Sequence, residues 1–414
     1  MTRQGVTQDM THDGQADMLR QSAFSYRFDQ VIRGALFVYI FSLPFSGLLF
    51  IERNGFILLT VLMAIWCVVN RRHFFSRTPV DLPLAAFVLW VGVSVPFSAS
   101  PVYSFGEFAK LLQQSLVFYW VVLFFQSSRE KLRVLVMFLG ILIATSLYGL
   151  WQFDPGRFSV LESFPRSEVA LTTYLIMSLP LGVSLAIYAR EHLLRTLGAS
   201  AAALSIVCQL FTFSRAGVFA LFVEAIALAG LVRNRLIALV VGIVLAISLS
   251  AAGVLLYIGD QSSLPFIPVK SKLTTYNLVS RWKAWELGFK KMLEHPVFGL
   301  GYGKNMFQQV AQPQLDHDAE VPMAGGTHNA LVDISVGAGV PAGLAYLWLM
   351  WTIGRTGLAQ FQTTQDSMER IWSLALFLMV IGLFVRNSFD HMWVGSWAVL
   401  FWVMVGMAVK PLKP

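Results

Sequence analysis

His328 is the residue whose type and position best suit proton transfer. It follows a Gly-Gly pair and stands, with Asn329, before a long apolar stretch that we expect to be helical. In the first turn of a helix the positive end disfavours imidazolium, which keeps a histidine neutral and basic near pH 7. Such a residue at a water–membrane boundary could take a proton from a hydroxyl group. A histidine that only caps or hydrogen-bonds the loop would give the same pattern, so both interpretations stay open.

Two arginines, Arg215 and Arg281, could bind an anionic partner. A guanidinium stays charged and binds phosphate oxygens in bidentate fashion, so two of them facing one site would suit a pyrophosphate. Arg215 lies in a tight turn between two apolar stretches, and Arg281 opens a segment with helical periodicity. Alternatively, Arg215 only snorkels to the membrane interface, and Arg281 lies on a solvated helix face or contacts lipid headgroups.

Three further polar residues belong to the same part of the sequence. Arg386 and Asp390 lie close together between the last two apolar stretches. Asp390 could orient His328 or pair with Arg386, and the sequence does not choose between these roles. Asp333 lies inside an apolar stretch, where a carboxylate is expensive, so it is either a polar contact between helices or a proton partner.

Metal chemistry has little support in the sequence. Asp316 and Asp318 could bind a divalent cation, but a solvated acidic loop explains them as well, since ligand types without geometry are weak evidence. Cys67 and Cys208 lie inside apolar runs, which indicates small packing residues. We therefore expect no metal ion and no cofactor.

The composition defines the kind of protein that must position these residues. Of 414 residues, 56% are apolar and only 13% are charged. These proportions exclude a disordered chain, a disulfide-rich secreted module and an ordinary cytosolic enzyme. They indicate an all-α polytopic membrane protein. The basic residues that give the net charge of +8 lie mostly on one predicted side of the membrane, as is usual for membrane proteins. The positive charge therefore indicates topology, and no nucleic-acid partner is expected.

Apolar stretches of roughly 17–25 residues predict about 12 transmembrane helices. Most of the 31 Lys and Arg residues fall in alternate connections, which places both termini in the cytoplasm. The predicted spans lie near 31–51, 55–70, 81–99, 111–126, 132–153, 169–189, 194–214, 216–232, 236–258, 329–353, 371–389 and 394–409.

One connection is far longer than the others and would form a partly helical periplasmic loop domain. Within it, Trp282, Trp285, Phe289 and Leu293 recur at helical spacing, with Ser280 as a candidate N-cap. Such a helix would lie on the membrane surface. The predicted organisation is a cytoplasmic tail (1–30), transmembrane helices 1–9 (31–258), the periplasmic loop domain (259–328), transmembrane helices 10–12 (329–410) and a second cytoplasmic tail (411–414).

These motifs resemble those of the O-antigen ligase and polymerase superfamily over roughly residues 165–410. Two places depart from the superfamily pattern: Ala342 stands three residues after the motif glycine, and Arg166-Ser167-Glu168 stands where an asparagine is frequent. This sequence therefore has no asparagine at that place to take the role that it has in the superfamily. The matching motifs are His328-Asn329 followed by Gly339, the loop pattern Arg281, Trp285, His295-Pro296, Gly299 and Gly301, and the turn Ser214-Arg215-Ala216-Gly217.

The resemblance implies a membrane glycosyltransferase of the O-antigen ligase type, similar to the GT-C class. Such enzymes transfer a glycan from undecaprenyl pyrophosphate to a sugar hydroxyl of lipid A–core, at the periplasmic side of the bacterial inner membrane. It implies His328 as the catalytic base and Arg215 and Arg281 as the pyrophosphate-binding residues. Asp390, Arg386 and Asn329 would support them. The expected partners are the lipid-linked glycan donor, the lipid A–core acceptor and membrane lipids.

Other functions remain compatible with the same sequence. A polymerase would use a growing lipid-linked glycan as acceptor, and a protein O-oligosaccharyltransferase would use a Ser or Tyr side chain. A lipid-linked glycan transporter would also have many spans, but it would show related halves and paired polar residues at midspan. The candidate residues instead collect at one predicted face of the membrane, which favours an interfacial enzyme.

Overall fold

The computed structural model describes residues 12–153, 161–232, 242, 275–310, 326–391 and 395–412. Over these residues the chain forms helices and no strand, which confirms the predicted all-α class for this part of the chain. Two short 3-10 turns, Ser46–Leu48 and Val95–Phe97, accompany the α-helices. The α-helices are α1 (His12–Ser42), α2 (Leu49–Asn70), α3 (Asp81–Ser94), α4 (Pro101–Phe124), α5 (Ser128–Gln152), α6 (Glu168–Tyr188), α7 (His192–Phe211), α8 (Arg215–Leu231), α9 (Thr275–Glu294), α10 (Met306–Val310), α11 (Ala330–Ala338), α12 (Val340–Thr363), α13 (Ser367–Asn387) and α14 (Gly395–Ala408).

Five segments of the described chain are long and apolar enough to cross a membrane, as expected of a multi-pass membrane protein. The count of twelve spans and the assignment of inner and outer sides stay predictions. The predicted ninth span, 236–258, lies outside the described residues except for Gly242. The five segments are Ser46–Asn70, α5, α6, α7 and α13, and two shorter apolar segments are Asp81–Phe97 and Gly395–Ala408.

The helix boundaries at the N-terminal side differ from the predicted spans. Helix α1 already begins at His12, within the segment predicted as a tail, and it ends at Ser42. The break that separates it from α2 contains Pro44, whereas the sequence analysis placed the boundary after residue 51. Proline removes a backbone donor and disfavours helical geometry at the residue before it, which explains why the helix stops here.

Helix α13 occupies the centre of the bundle and carries part of the candidate site. It packs against α6, α8, α12 and α14. Its buried side chains include Trp372, Leu376 and Leu383. Arg386 lies in its last turn, and Asp390 follows in the connection to α14. These two residues are therefore held by the best-packed part of the fold.

Helix α9, in the predicted loop domain, packs against α11 through small residues. Ala284 is fully buried beside Val332, and a Cβ added at Gly288 would lie 2.9 Å from the same valine. The helix starts at Thr275, so the candidate N-cap Ser280 lies inside the helix and the prediction of its capping role is wrong. Close packing along this face fixes α9, which carries Arg281, against α11, which directly follows His328 and Asn329.

The glycine-rich turn after α9 reinforces this docking through its backbone. Leu300 N donates to Val336 O at 2.8 Å, and Val340 N donates to Pro296 O at 2.8 Å. The predicted tenth span is broken between these bonds, since Gly339 has a φ of 87° and separates α11 from α12. A Cβ at position 339 would collide with the carbonyl of Val297, so only glycine allows the turn to approach.

Candidate active site

His328 stands at the entrance to α11 in a strained backbone conformation. Its φ of 53° is uncommon for a residue other than glycine, and such strain is typical of functional sites. Asn329 is the N-cap, and its Oδ1 accepts hydrogen bonds from Leu331 N at 3.0 Å and Val332 N at 3.2 Å. His328 therefore lies one residue before the cap and not in the first turn, where the sequence analysis placed it.

Asp390 contacts both residues that the sequence analysis considered for it. Its Oδ1 lies 3.4 Å from His328 Nδ1, and its Oδ2 lies 3.4 Å from Arg386 Nη2. The backbone N–H of His391 donates to Oδ1 at 2.9 Å. The two roles left open by the sequence are thus combined in one carboxylate, which bridges the histidine and a buried arginine.

The surroundings of Asp390 favour its charged form. Burial would raise the pKa of Asp390, but the hydrogen bond with His328 and the charge of Arg386 hold this pKa below its usual range. The ammonium group of Lys304 lowers the pKa of Asp390 in the same direction. A carboxylate that stays ionised can hold a proton on the facing histidine nitrogen.

Arg281 reaches from α9 to the same turn. Its Nη1 donates to the carbonyl of Phe389 at 2.8 Å. Burial lowers the pKa of Arg281, the charge of Asp390 raises this pKa, and the charge of Arg215 lowers it. Arginine stays protonated in proteins, so these opposing effects leave Arg281 charged. They also show that Asp390 and Arg215 both lie within electrostatic range of Arg281.

Arg215 is positioned by the turn between α7 and α8. Ser214 caps α8, because its Oγ accepts from Gly217 N at 3.2 Å, and this makes Arg215 the first residue of the helix. Phe219, one turn further along, meets the ring of Phe389 edge-on with 6.0 Å between ring centroids. Helix α8 thus packs on the turn that Arg281 binds, which brings the two predicted arginines to one site.

A second hydrogen-bonded network lies behind His328. Asp333 accepts from Thr327 Oγ1 at 2.6 Å through Oδ1 and contacts His391 Nδ1 at 2.7 Å through Oδ2. Trp285 Nε1 donates to the carbonyl of Thr327 at 2.7 Å. Since His391 also donates its backbone N–H to Asp390, the residues before α11 and after α13 are tied together on both sides of His328.

This network was largely missed by sequence reasoning. Asp333 was considered as a polar contact between helices or a proton partner, and its contact with His391 is compatible with both roles. Thr327 and His391 were given no role. What could have indicated them in the sequence is their position, since each is the chain neighbour of a residue that had been singled out. Their partners are distant in sequence, and only the fold brings these partners close.

The arrangement is suited to acid–base chemistry on an anionic substrate. It places one histidine on a carboxylate that also contacts Arg386, with Arg281 bound to the same turn and Arg215 within electrostatic range of Arg281. Among the described residues, no group of three His, Cys, Asp or Glu side chains is arranged to hold a metal ion. The acidic segment around Asp316 lies outside the described residues.

The fold and the site define a helical membrane protein with a histidine- and arginine-rich site at one end of the bundle. A family model described as O-antigen ligase matches residues 199–347. This segment contains Arg215, Arg281, His328 and Asn329, while Arg386 and Asp390 follow it. Over these residues the chain is similar to the O-antigen ligase superfamily, as predicted. Members of this family are membrane glycosyltransferase-like enzymes and include both ligases and polymerases. A search of the curated proteins gives no match.

Proposed function

We propose that this protein transfers a glycan from undecaprenyl pyrophosphate to a sugar hydroxyl of lipid A–core at the periplasmic face of the inner membrane. The observation that carries the proposal is the contact between His328 and Asp390, with Arg281 and Arg386 bound to the same turn. A base and cationic groups at one site are what a reaction with a hydroxyl nucleophile and a pyrophosphate leaving group requires. The family match supports the class of reaction.

In this mechanism His328 is the general base. Asp390 faces Nδ1 and holds the proton there, so Nε2 presents its lone pair to the acceptor hydroxyl. The hydroxyl oxygen attacks the anomeric carbon of the donor glycan while its proton moves to Nε2. The bond between that carbon and the pyrophosphate oxygen breaks, and undecaprenyl pyrophosphate leaves with the electron pair. A single displacement of this kind inverts the anomeric centre, and product stereochemistry by NMR tests that step.

Arg215 and Arg281 stabilise the charge that grows on the leaving pyrophosphate. A guanidinium has five N–H donors. Arg281 can therefore bind the Phe389 carbonyl and a phosphate oxygen at the same time. Preorganised donors of this type are each worth about 10²–10³-fold in rate. The half-buried positions of the two arginines increase this effect, since water competes less for the phosphate.

The membrane contributes by holding both lipid-linked substrates at one interface, which makes their encounter more frequent. On the outer face of α9, Trp282, Phe289 and Leu293 are exposed, as expected of a helix that lies against lipid. Trp285 instead turns inward to Thr327 and departs from the predicted apolar stripe. The helix thus has one face for the membrane and another for the site.

The test is a glycolipid gel of the cell envelope from a strain lacking this gene. The strain is complemented with wild type, His328→Ala, or the control His192→Ala, all at matched membrane levels. His192 is an exposed histidine at the start of α7, outside the site and outside the matching motifs. Wild type and His192→Ala should restore a long-chain ladder on lipid A–core. With His328→Ala, the gel should show only lipid A–core without attached glycan, and undecaprenyl-linked polymer should accumulate.

The other outcomes of the gel separate the competing functions. If single repeats accumulate on the carrier lipid, the protein is a polymerase. If glycan is lost from proteins while lipid A–core is unchanged, the acceptor is a protein side chain. If His328→Ala behaves as wild type, the assignment of the base is wrong, and a transporter becomes the better explanation.

A further inference from the structure

A narrow polar cleft lies on the side of the His391–Asp333 pair that faces α4. Its walls come from α4, from the turn before α10 and from the start of α11. The polar side chains that line it are Glu107, Lys110, Gln114, Lys304, Asp333 and His391.

The base of this cleft belongs to the hydrogen-bonded network of the candidate site. Asp333 and His391 line the cleft, and Asp333 also binds Thr327, the chain neighbour of His328. Lys304 lies close enough to lower the pKa of Asp390, the carboxylate that contacts His328. A group bound in the cleft would therefore sit near the base, separated from it only by these shared residues.

The two lysines at the cleft differ in their partners. Lys110 forms an ion pair with Glu107 at 2.6 Å, so its charge is largely balanced. Within the described part of the chain, no carboxylate lies within 4.0 Å of the Lys304 ammonium. Lys304 is thus the cation of this cleft that can bind an anionic group from outside the protein.

Gln114 supplies a second polar group that points to a ligand. Its side chain is only 5% exposed, and no described residue donates a hydrogen bond to its Oε1. A buried acceptor without a partner is unfavourable, because it has given up its hydrogen bonds with water. A hydroxyl group of a sugar could donate to this oxygen and compensate for that loss.

We propose that the cleft binds the acceptor, by receiving an anionic substituent of its terminal sugar on Lys304 and a sugar hydroxyl on Gln114. The substituent is a phosphate group, and the ring itself lies over the mouth because the cleft is too narrow to hold it. This inference rests on the proposed glycan transfer and assigns the acceptor to the α4 side of His328. The donor pyrophosphate lies with Arg215 and Arg281.

The experiment measures transfer by the purified full-length protein in phosphatidylcholine vesicles. The donor is a glycan on undecaprenyl pyrophosphate, and the acceptor is lipid A–core with phosphorylated core sugars or the same material after phosphatase treatment. The variants are Lys304→Gln, Lys304→Arg and Gln114→Leu. Lys290→Gln, which removes an exposed lysine of α9, is the matched control.

We expect Lys304→Gln to raise the KM for the phosphorylated acceptor about 10-fold, while the donor KM changes less than about twofold. Lys304→Arg keeps the charge and should stay within about threefold of wild type. Gln114→Leu should raise the acceptor KM with either acceptor, since it removes the hydroxyl contact. With the dephosphorylated acceptor, wild type and Lys304→Gln should have the same KM.

Three results would overturn the inference. One is an effect of Lys304→Gln on the donor KM in place of the acceptor KM. Another is an equal effect with the dephosphorylated acceptor. The third is a difference in acceptor KM between wild type and Lys304→Gln that changes with the amount of phosphatidylglycerol added to the vesicles, because the cleft would then bind a lipid headgroup. If wild type transfers glycan to neither acceptor, the proposed function itself fails, which is a separate result.

Discussion

At one end of the bundle, Lys131 Nζ lies 2.9 Å from Glu369 Oε1. At the other end, the two carboxylate oxygens of Asp390 lie 3.4 Å from His328 Nδ1 and 3.4 Å from Arg386 Nη2. Lys131 is completely buried, and Lys410 approaches the same glutamate at 3.7 Å. The first cluster is compact, with the carboxylate of Glu369 between two ammonium groups. The second is looser and lies at the opposite end of α13, the helix that carries both Glu369 and Arg386.

The backbone differs between the two regions in the same sense. His328 has a φ of 53°, and Phe213, in the turn that presents Arg215, has a φ of 50°. Lys131 and Glu369, by contrast, lie within α5 and α13. Buried ion pairs that serve the fold are tight and relaxed, whereas a site that must admit a ligand keeps longer contacts and stores strain. The comparison therefore separates a structural charge cluster from the one that we propose to be functional.

The largest expected effect comes from Asp390→Asn. The asparagine fills the same space but does not hold a proton on Nδ1 of His328, so the base loses its orientation and its basicity. We expect kcat for glycan transfer to fall about 10³-fold, which corresponds to about 4 kcal/mol. Asp366→Asn, at the opposite end of α13, is the control because asparagine also serves as an N-cap. Equal activities of the two variants would contradict the role of Asp390.

Glu369→Gln should lower the stability of the fold and not the rate of glycan transfer. It leaves the buried Lys131 without its carboxylate partner, which costs about 3 kcal/mol of stability. The activity of the folded fraction should not change. Thermal unfolding in detergent measures the loss, and the double variant Lys131→Met, Glu369→Gln should recover part of it. A loss of kcat in protein that remains folded would show that the two regions are coupled.

The sequence predicted the parts of the fold that depend on local pattern. The all-helical class and the candidate residues Arg215, Arg281, His328 and Asp390 followed from composition, from the cost of polar groups near apolar stretches and from a family resemblance. The break at Gly339 was not predicted, because its cause is the backbone of the distant Val297 turn.

Pairings across the bundle were also beyond the sequence. Asp333 meets His391 across 58 positions of the chain, and Arg281 meets Phe389 across 108. No local spacing encodes such contacts. Likewise, Lys304 was given no role from the sequence, and only the fold places it beside Gln114 and Asp390.

Asn329→Ala should have a smaller effect on both properties. Its Oδ1 accepts from two backbone donors of α11, and losing such a cap costs about 1 kcal/mol. The cap also fixes the turn that carries His328, so kcat should fall by about 10-fold, less than for Asp390→Asn. Asn329→Ser retains a capping oxygen and should restore most of the stability and activity. The prediction fails if serine and alanine behave alike in both measurements.

The smallest expected effect is the pH dependence of the contribution of Asp390 to stability. The pKa of Asp390 is lower in the folded protein than in the unfolded chain, where an aspartate has a pKa of about 3.9. The ionised carboxylate therefore stabilises the fold above that pH, and the contribution is lost as the pH falls towards the folded pKa. By pH 3 the unfolded chain gains about 1 kcal/mol by binding a proton that the folded protein does not yet bind. The difference in stability between wild type and Asp390→Asn should accordingly narrow by about this amount between pH 6 and pH 3. A constant difference in the thermal unfolding curves would mean that His328 and Arg386 do not favour the charged carboxylate, and the contrast between the two ends of α13 would then rest on geometry alone.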